Sequence, residues 1–334
     1  MPDKVNQNDY LYLSAMLRAR EANILSRDRM DRMLSAATYA EAAKILTDCG
    51  YEDMSRMDAK SIDAALSRHR EAVFDELTRL VPQAELVDIF RLKYDYHNAK
   101  VIIKAEGAGV SGEHLFSSSG RIDHEVLRTA YREEDFRFLP EAMGRAMGEA
   151  KSVLARTGNP QLADFVLDSA YFAELAAIAE QAGGGFLTDY VRALIDSANL
   201  RTAVRTIRMG RDQDFLATAL IRGGNADPQR LAQAAFSGGE GLIAIFTATC
   251  FKDAAALGAE AMKGGSMTRF ELSCDNAVTA FLRSARLISF GAEPVLEYVA
   301  LVEAEITAVR MILTGRLAGI APEVIRERLR DVDA

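Results

Sequence analysis

Apolar positions recur along nearly the whole chain with the period of a helix. Between Pro294 and Thr314 the residues Val295, Val299, Val302, Ile306, Val309 and Leu313 are spaced 4-3-4-3-4. That is one stripe down one helix face, and Gly315 stands where a C-terminal cap is expected. Phe186 to Met209 behaves alike, with Leu187, Val191, Leu194 and Ala198 on one face and Gly210 as the stop. Helix starts carry their own chemistry. Asp227-Pro228, Glu293-Pro294 and Ala321-Pro322-Glu323 put acidic groups and prolines in first turns, and Thr38-x-x-Glu41 reads as a capping box. Alternating runs of the strand type, bounded by turns, are hard to find. Connectors are short and glycine-rich, as at 183–185, 223–225, 237–239 and 264–266. The pattern predicts an all-α chain.

The chain also repeats itself. Asp95-x-x-Asn98-Ala99-Lys100, Asp196-x-x-Asn199-Leu200-Arg201 and Glu305-x-x-Ala308-Val309-Arg310 share one order: acidic, two residues, Asn or Ala, apolar, basic, then an apolar-rich helix. Arg32 to Tyr51 echoes Arg230 to Phe251, and Phe165 to Asp168 echoes Phe270 to Asp275. Together these predict three copies of a helical unit, over 1–110, 111–213 and 214–334. Asp and Asn are poor helix formers, so their recurrence in mid-helix needs a reason. Spaced i, i+3, they share a face, where they are suited to bond the end of a neighbouring helix and satisfy buried backbone groups. A metal or catalytic role for the carboxylates is the competing account. Arg201, Arg205 and Arg208 form an i, i+4, i+7 stripe, and the last two suit the dipole of a helix ending before Gly210.

Charge and composition narrow the function. Forty basic and 48 acidic side chains give a net charge of −8, distributed as −2, −3 and −3 over the three segments. No segment is a basic module of the kind that binds nucleic acid. The odd cysteines Cys49, Cys250 and Cys274 have no C-x-x-C spacing, which predicts small buried residues in a reducing compartment. The N-terminus lacks the regions of a signal peptide. The longest apolar run, Gly241 to Phe251, falls well short of the roughly 20 residues that a membrane span needs.

Catalytic motifs are not found. The nearest approach to a P-loop, Gly258 to Ser266, has no glycine directly before Lys263. There is no Asp-Asp-x-x-Asp, no His-Glu-x-x-His and no Gly-x-Ser-x-Gly, and the four histidines make no i, i+4 pair. His97 reads as a packed or capping residue. No catalytic, cofactor or metal residues are assigned, and no small-molecule substrate is expected.

The order and spacing of these blocks resemble the C subunit of the archaeal and bacterial V-type (A/V-type) ATPases and ATP synthases, which is similar to the eukaryotic d subunit. The resemblance is carried by Tyr10 to Glu21 with Leu25-Ser26, by Tyr94 to Lys100, by Tyr190 to Arg201, and by Phe290 to Tyr298 followed by Glu303 to Arg310. It covers about residues 10 to 330, with Ala308 standing where the third block often has Asn and a glycine-rich insertion at 238–241. The resemblance implies three helical domains around a pseudo-threefold axis, forming a funnel. It also implies a non-catalytic central-stalk (rotor) subunit, peripheral at the cytoplasmic face of a membrane. Its partners would be the central shaft subunits of the soluble motor and the proteolipid subunits of the membrane rotor ring. Two other readings fit the same residues: a free-standing repeat scaffold that binds proteins, and a helical enzyme working through Asp95, Asp196 and Glu305. Contact loops for partners are unknown from the sequence.

Overall fold

The structure, a computed structural model, describes residues 6–182 and 185–330, and the predicted connector residues Gly183 and Gly184 lie outside them. The described residues are helical throughout, with no strand among them. They form two compact units: 1–87 with 266–334, and 88–265.

The first unit begins with α1 (Leu11–Glu21), α2 (Arg27–Ser35), α3 (Tyr39–Lys44) and α4 (Ala59–Leu80). Ser26, Thr38 and Asp58 cap α2, α3 and α4 through their side-chain oxygens. Thr38 serves α3 as expected, but Glu41 reaches back to the amide of Ala37, one residue earlier than a strict capping box.

The second unit holds α5 (Glu85–Ala108), apart from its first three residues. There follow α6 (His124–Glu133), α7 (Glu141–Thr157), α8 (Pro160–Ala182), α9 (Gly185–Arg208), α10 (Gln213–Ala219), α11 (Pro228–Phe236), α12 (Gly239–Phe246) and α13 (Lys252–Met262). Asp227 caps α11 with Pro228 in the first turn, as the sequence predicts. α9 packs against α8, α10, α11 and α13. Being surrounded, it buries residues on every side rather than along one stripe. It ends before Gly210, whose φ of +66° closes the helix in the left-handed region.

The first unit is completed by α14 (Met267–Arg283), α15 (Ala292–Leu317) and α16 (Pro322–Arg326). α15 is its axis, in contact with α1, α2, α3, α4, α14 and α16. Its predicted end at Gly315 is corrected. The helix runs through Gly315, which is buried with its α-carbon facing Ile325 of α16, and it ends at Leu317, closed two residues on by the left-handed Gly319, with φ +69°. A buried glycine inside a helix gives α16 room to approach. Of the cysteines, Cys49 and Cys274 are buried as expected and Cys250 is exposed. No helix among the described residues is long and apolar enough to cross a membrane.

Candidate functional site

The three repeat carboxylates project from the middle of α5, α9 and α15 and are buried: Asp95 and Asp196 are 0% exposed and Glu305 is 3%. Each accepts the amide hydrogen of the residue just ahead of a helix N-cap. Asp95 Oδ1 takes Ile122 N at 3.0 Å, before Asp123 and α6. Asp196 Oδ1 takes Ala226 N at 3.0 Å, before Asp227 and α11. Glu305 Oε1 takes Leu25 N at 2.7 Å, before Ser26 and α2. A long helix thereby fixes the point at which another begins, and an amide that would be buried without a partner is satisfied.

The remaining partners differ. Asp95 also receives Arg121 N and an ion pair from Arg121 Nε, at 2.7 Å each. Arg121 in turn bonds Glu174 of α8, which also accepts the Tyr96 hydroxyl. Asp196 receives Asn225 through both its backbone and its side-chain amide. Glu305 receives one further hydrogen bond among the described residues, from the hydroxyl of Tyr51 at 2.9 Å, and Tyr51 stacks on His69 at 4.2 Å between centroids. Burial pushes the pKa of all three carboxyls up. It acts against Arg121 for Asp95 and against Ala226 N–H and the Asn225 donors for Asp196. Glu305, with two neutral donors, is pushed up to about 7.

Asn98 and Asn199, one turn further along, hold the same loops in both directions. Asn98 donates to Ser117 O at 2.8 Å and accepts from Ser117 N at 2.9 Å. Asn199 does the same with Ile221, at 2.8 Å each way. Ser117 and Ile221 each stand five residues before the amide that the carboxylate takes. The corresponding position before Leu25 is Arg20, inside α1, whose carbonyl is already taken by Asn23 N at 2.9 Å. An asparagine at 308 would find no extended backbone to bond, and an apolar Ala308 is buried there instead.

Two glycines that the repeat pattern leaves out complete the arrangement. A β-carbon at Gly120 would overlap Asp95 Oδ1, and one at Gly224 would overlap Asp196 Oδ1. Each stands two residues before the bonded amide, so the loop lies directly on the carboxylate. In the third case that position is Asn23, and the carboxylate is on a glutamate, one methylene longer. A recurrent glycine 25 to 28 residues after the aspartate is the signal that the sequence holds for them.

The basic members of the repeat have separate roles. Lys100 of α5 forms an ion pair with Asp168 of α8. Arg310 pairs with Asp63 at 2.7 Å, both about half exposed, and Arg201 is half-buried on α9. Arg208 does more than suit the dipole of its own helix. It donates to Ala261 O and Gly265 O at the end of α13, and Arg316 likewise donates to Leu34 O and Ala36 O at the end of α2. His97 Nε2 lies 2.8 Å from Leu115 O.

Glu113, His124 and Glu125 bring three possible metal-ligand atoms within 4.8 Å of one another. Both glutamates already pair with Arg128, so the group reads as a surface ion-pair cluster. The carboxylates of α5, α9 and α15 point at backbone amides and not into a cleft. What they do chemically is hold loops.

The profile of the ATP synthase (C/AC39) subunit family matches residues 13–328 of this chain. The C subunit of the V-type sodium ATPase of Enterococcus hirae is 26% identical over 329 residues, 97% of this chain and 99% of that protein. The C subunit of the A-type ATP synthase of Methanocaldococcus jannaschii is 22% identical over 96% of this chain and 86% of its own length. The C subunit of the V-type ATP synthase of Thermus thermophilus is 25% identical over 59% of this chain and 63% of that protein.

Proposed function

The chain belongs to the ATP synthase (C/AC39) subunit family, and from that premise we propose that it is a non-catalytic rotor subunit of a V- or A-type ATPase or ATP synthase. In this reading it sits in the central stalk, peripheral at the cytoplasmic face of the membrane. It couples the shaft of the soluble motor to the ring of proteolipid subunits in the membrane. The observation that carries the reading is similarity along the full length to the C subunits of such enzymes, from both V-type and A-type complexes. A part that transmits torque needs stiffness, not reactivity. The buried carboxylates Asp95, Asp196 and Glu305 serve that need, because each is committed to holding the start of another helix. The recurring carboxylate–amide bond supports treating 1–110, 111–213 and 214–334 as three related copies.

The test is affinity purification of the tagged chain from detergent-solubilised membranes of its native cells, with co-purifying chains identified by mass. The expected result is recovery of the nucleotide-binding subunits together with the small membrane rotor protein. Recovery of the chain alone, under conditions that keep the ATPase intact, would overturn the rotor reading in favour of a free-standing scaffold.

A further inference from the structure

Of the three repeat carboxylates, Glu305 is held most sparely. Asp95 has the guanidinium of Arg121 against it, and Asp196 takes three N–H donors. Glu305 takes the Leu25 amide and the Tyr51 hydroxyl, both neutral, at a joint where α15 meets the start of α2 and the chain ahead of α4. The cation that acts on it is Arg29 of α2, and that guanidinium is turned to Cys49, with Nη1 3.4 Å from Sγ. The other groups around the joint are neutral, paired or exposed. On α4, burial and then Arg70 push the pKa of His69 down, and Arg70 is bonded to Glu303 at 2.6 Å. On α1, Arg20 pairs with Glu76, and Arg18 with Glu297, two turns from Glu305. Burial keeps Cys49 and Tyr298 neutral by pushing their pKa values up. Glu41, Lys44 and Asp48 are exposed, Asp275 of α14 pairs with Arg330, and Arg326 of α16 pairs with Asp31.

A carboxylate bonded by neutral groups out of water is held less well than the protonated carboxyl. The protonated form keeps both contacts, with Oε1 accepting the Leu25 N–H and Oε2–H donating to the Tyr51 oxygen. The end of α2 is fastened separately, by Arg316 to Leu34 O and Ala36 O, so its start can leave α15 while its end stays. We propose that ionisation of Glu305 unlatches the start of α2 and Tyr51 from α15, which makes this joint a proton-controlled hinge. The carboxyl is pushed up to about 7 in the closed joint against an ordinary 4.5 in water, so the joint is firm at low pH and loosens as pH rises from 4.5 to 7. Arg29 moves with the first turn of α2 and uncovers the Cys49 sulfur. The inference stands on this joint alone and does not depend on the rotor reading.

The full chain is labelled with N-ethylmaleimide between pH 6 and pH 8, and each cysteine is quantified by peptide mass spectrometry. Glu305→Gln is labelled beside it, because its carboxamide keeps both contacts without a charge. Dividing the two rates at each pH removes the titration of the thiol and of His69. For Cys49 the ratio of unmodified chain to Glu305→Gln should rise about tenfold from pH 6 to pH 8. Cys274, buried on α14 of the same unit, should show a flat ratio, since a local opening leaves α14 packed. A flat ratio at Cys49 would overturn the proposal, because Arg29 would then have turned to the carboxylate and kept the joint closed. A rise shared by Cys49 and Cys274 would overturn it too, because ionisation would then unfold the whole unit.

Discussion

Asn199 exchanges two hydrogen bonds with the backbone of Ile221, a residue only 8% exposed, so neither peptide group can turn to water if the side chain is removed. Asn98 makes the same pair of bonds to Ser117, which is partly exposed. Identical chemistry in two solvent settings gives different costs. Asn199→Ala is expected to destabilise by about 2–4 kcal/mol and Asn98→Ala by about half that, measured by chemical denaturation. Equal losses would mean that water reaches Ile221 after all. The sequence marks these residues because Asp and Asn are out of place in mid-helix, and that is a matter of propensity. It does not mark Arg121, whose importance comes only from the carboxylate that folding brings against it.

Helix ends show what periodicity can and cannot reveal. The stripe of α15 is legible because a helix buried against several neighbours needs apolar residues at regular intervals, and α9 stops at Gly210 as its sequence predicts. The stop of α15 lies one turn later than its sequence predicts. Gly315 looks like a cap, but its missing side chain serves the approach of α16, and the left-handed residue is Gly319, with open space around its α-carbon. Gly319→Ala should therefore cost about 1 kcal/mol through backbone strain alone, without disturbing packing. A thermal melt that moves by no more than experimental error would place the cap elsewhere. Glycine in a sequence does not say which of its two properties is in use, conformational freedom or lack of bulk.

At the scale of the whole chain, α15 near the C-terminus holds the start of α2 near the N-terminus. Glu305 and Leu25 are 280 residues apart in sequence. The folded pKa of Glu305 is about 7 against an ordinary value of 4.5, so between those pH values the native chain binds more protons than the unfolded one. Its contribution is fully present below pH 4.5 and is lost as pH rises through 7. Relative to Glu305→Gln, the unmodified protein should lose on the order of 3 kcal/mol of stability between pH 4.5 and 8. A difference that stays flat with pH would mean that Glu305 titrates normally. By itself the sequence determined the all-helical class, the courses of α9 and α15, several helix starts and the recurring blocks, because these follow from local propensity and from the period at which side chains return to one face. It also excluded a basic nucleic-acid module, since net charge is a sum over residues and needs no fold. Only the tertiary structure decided what the recurring carboxylates hold and why the third block has Ala308. A hydrogen bond depends on which distant segments meet, and that is fixed when the chain packs.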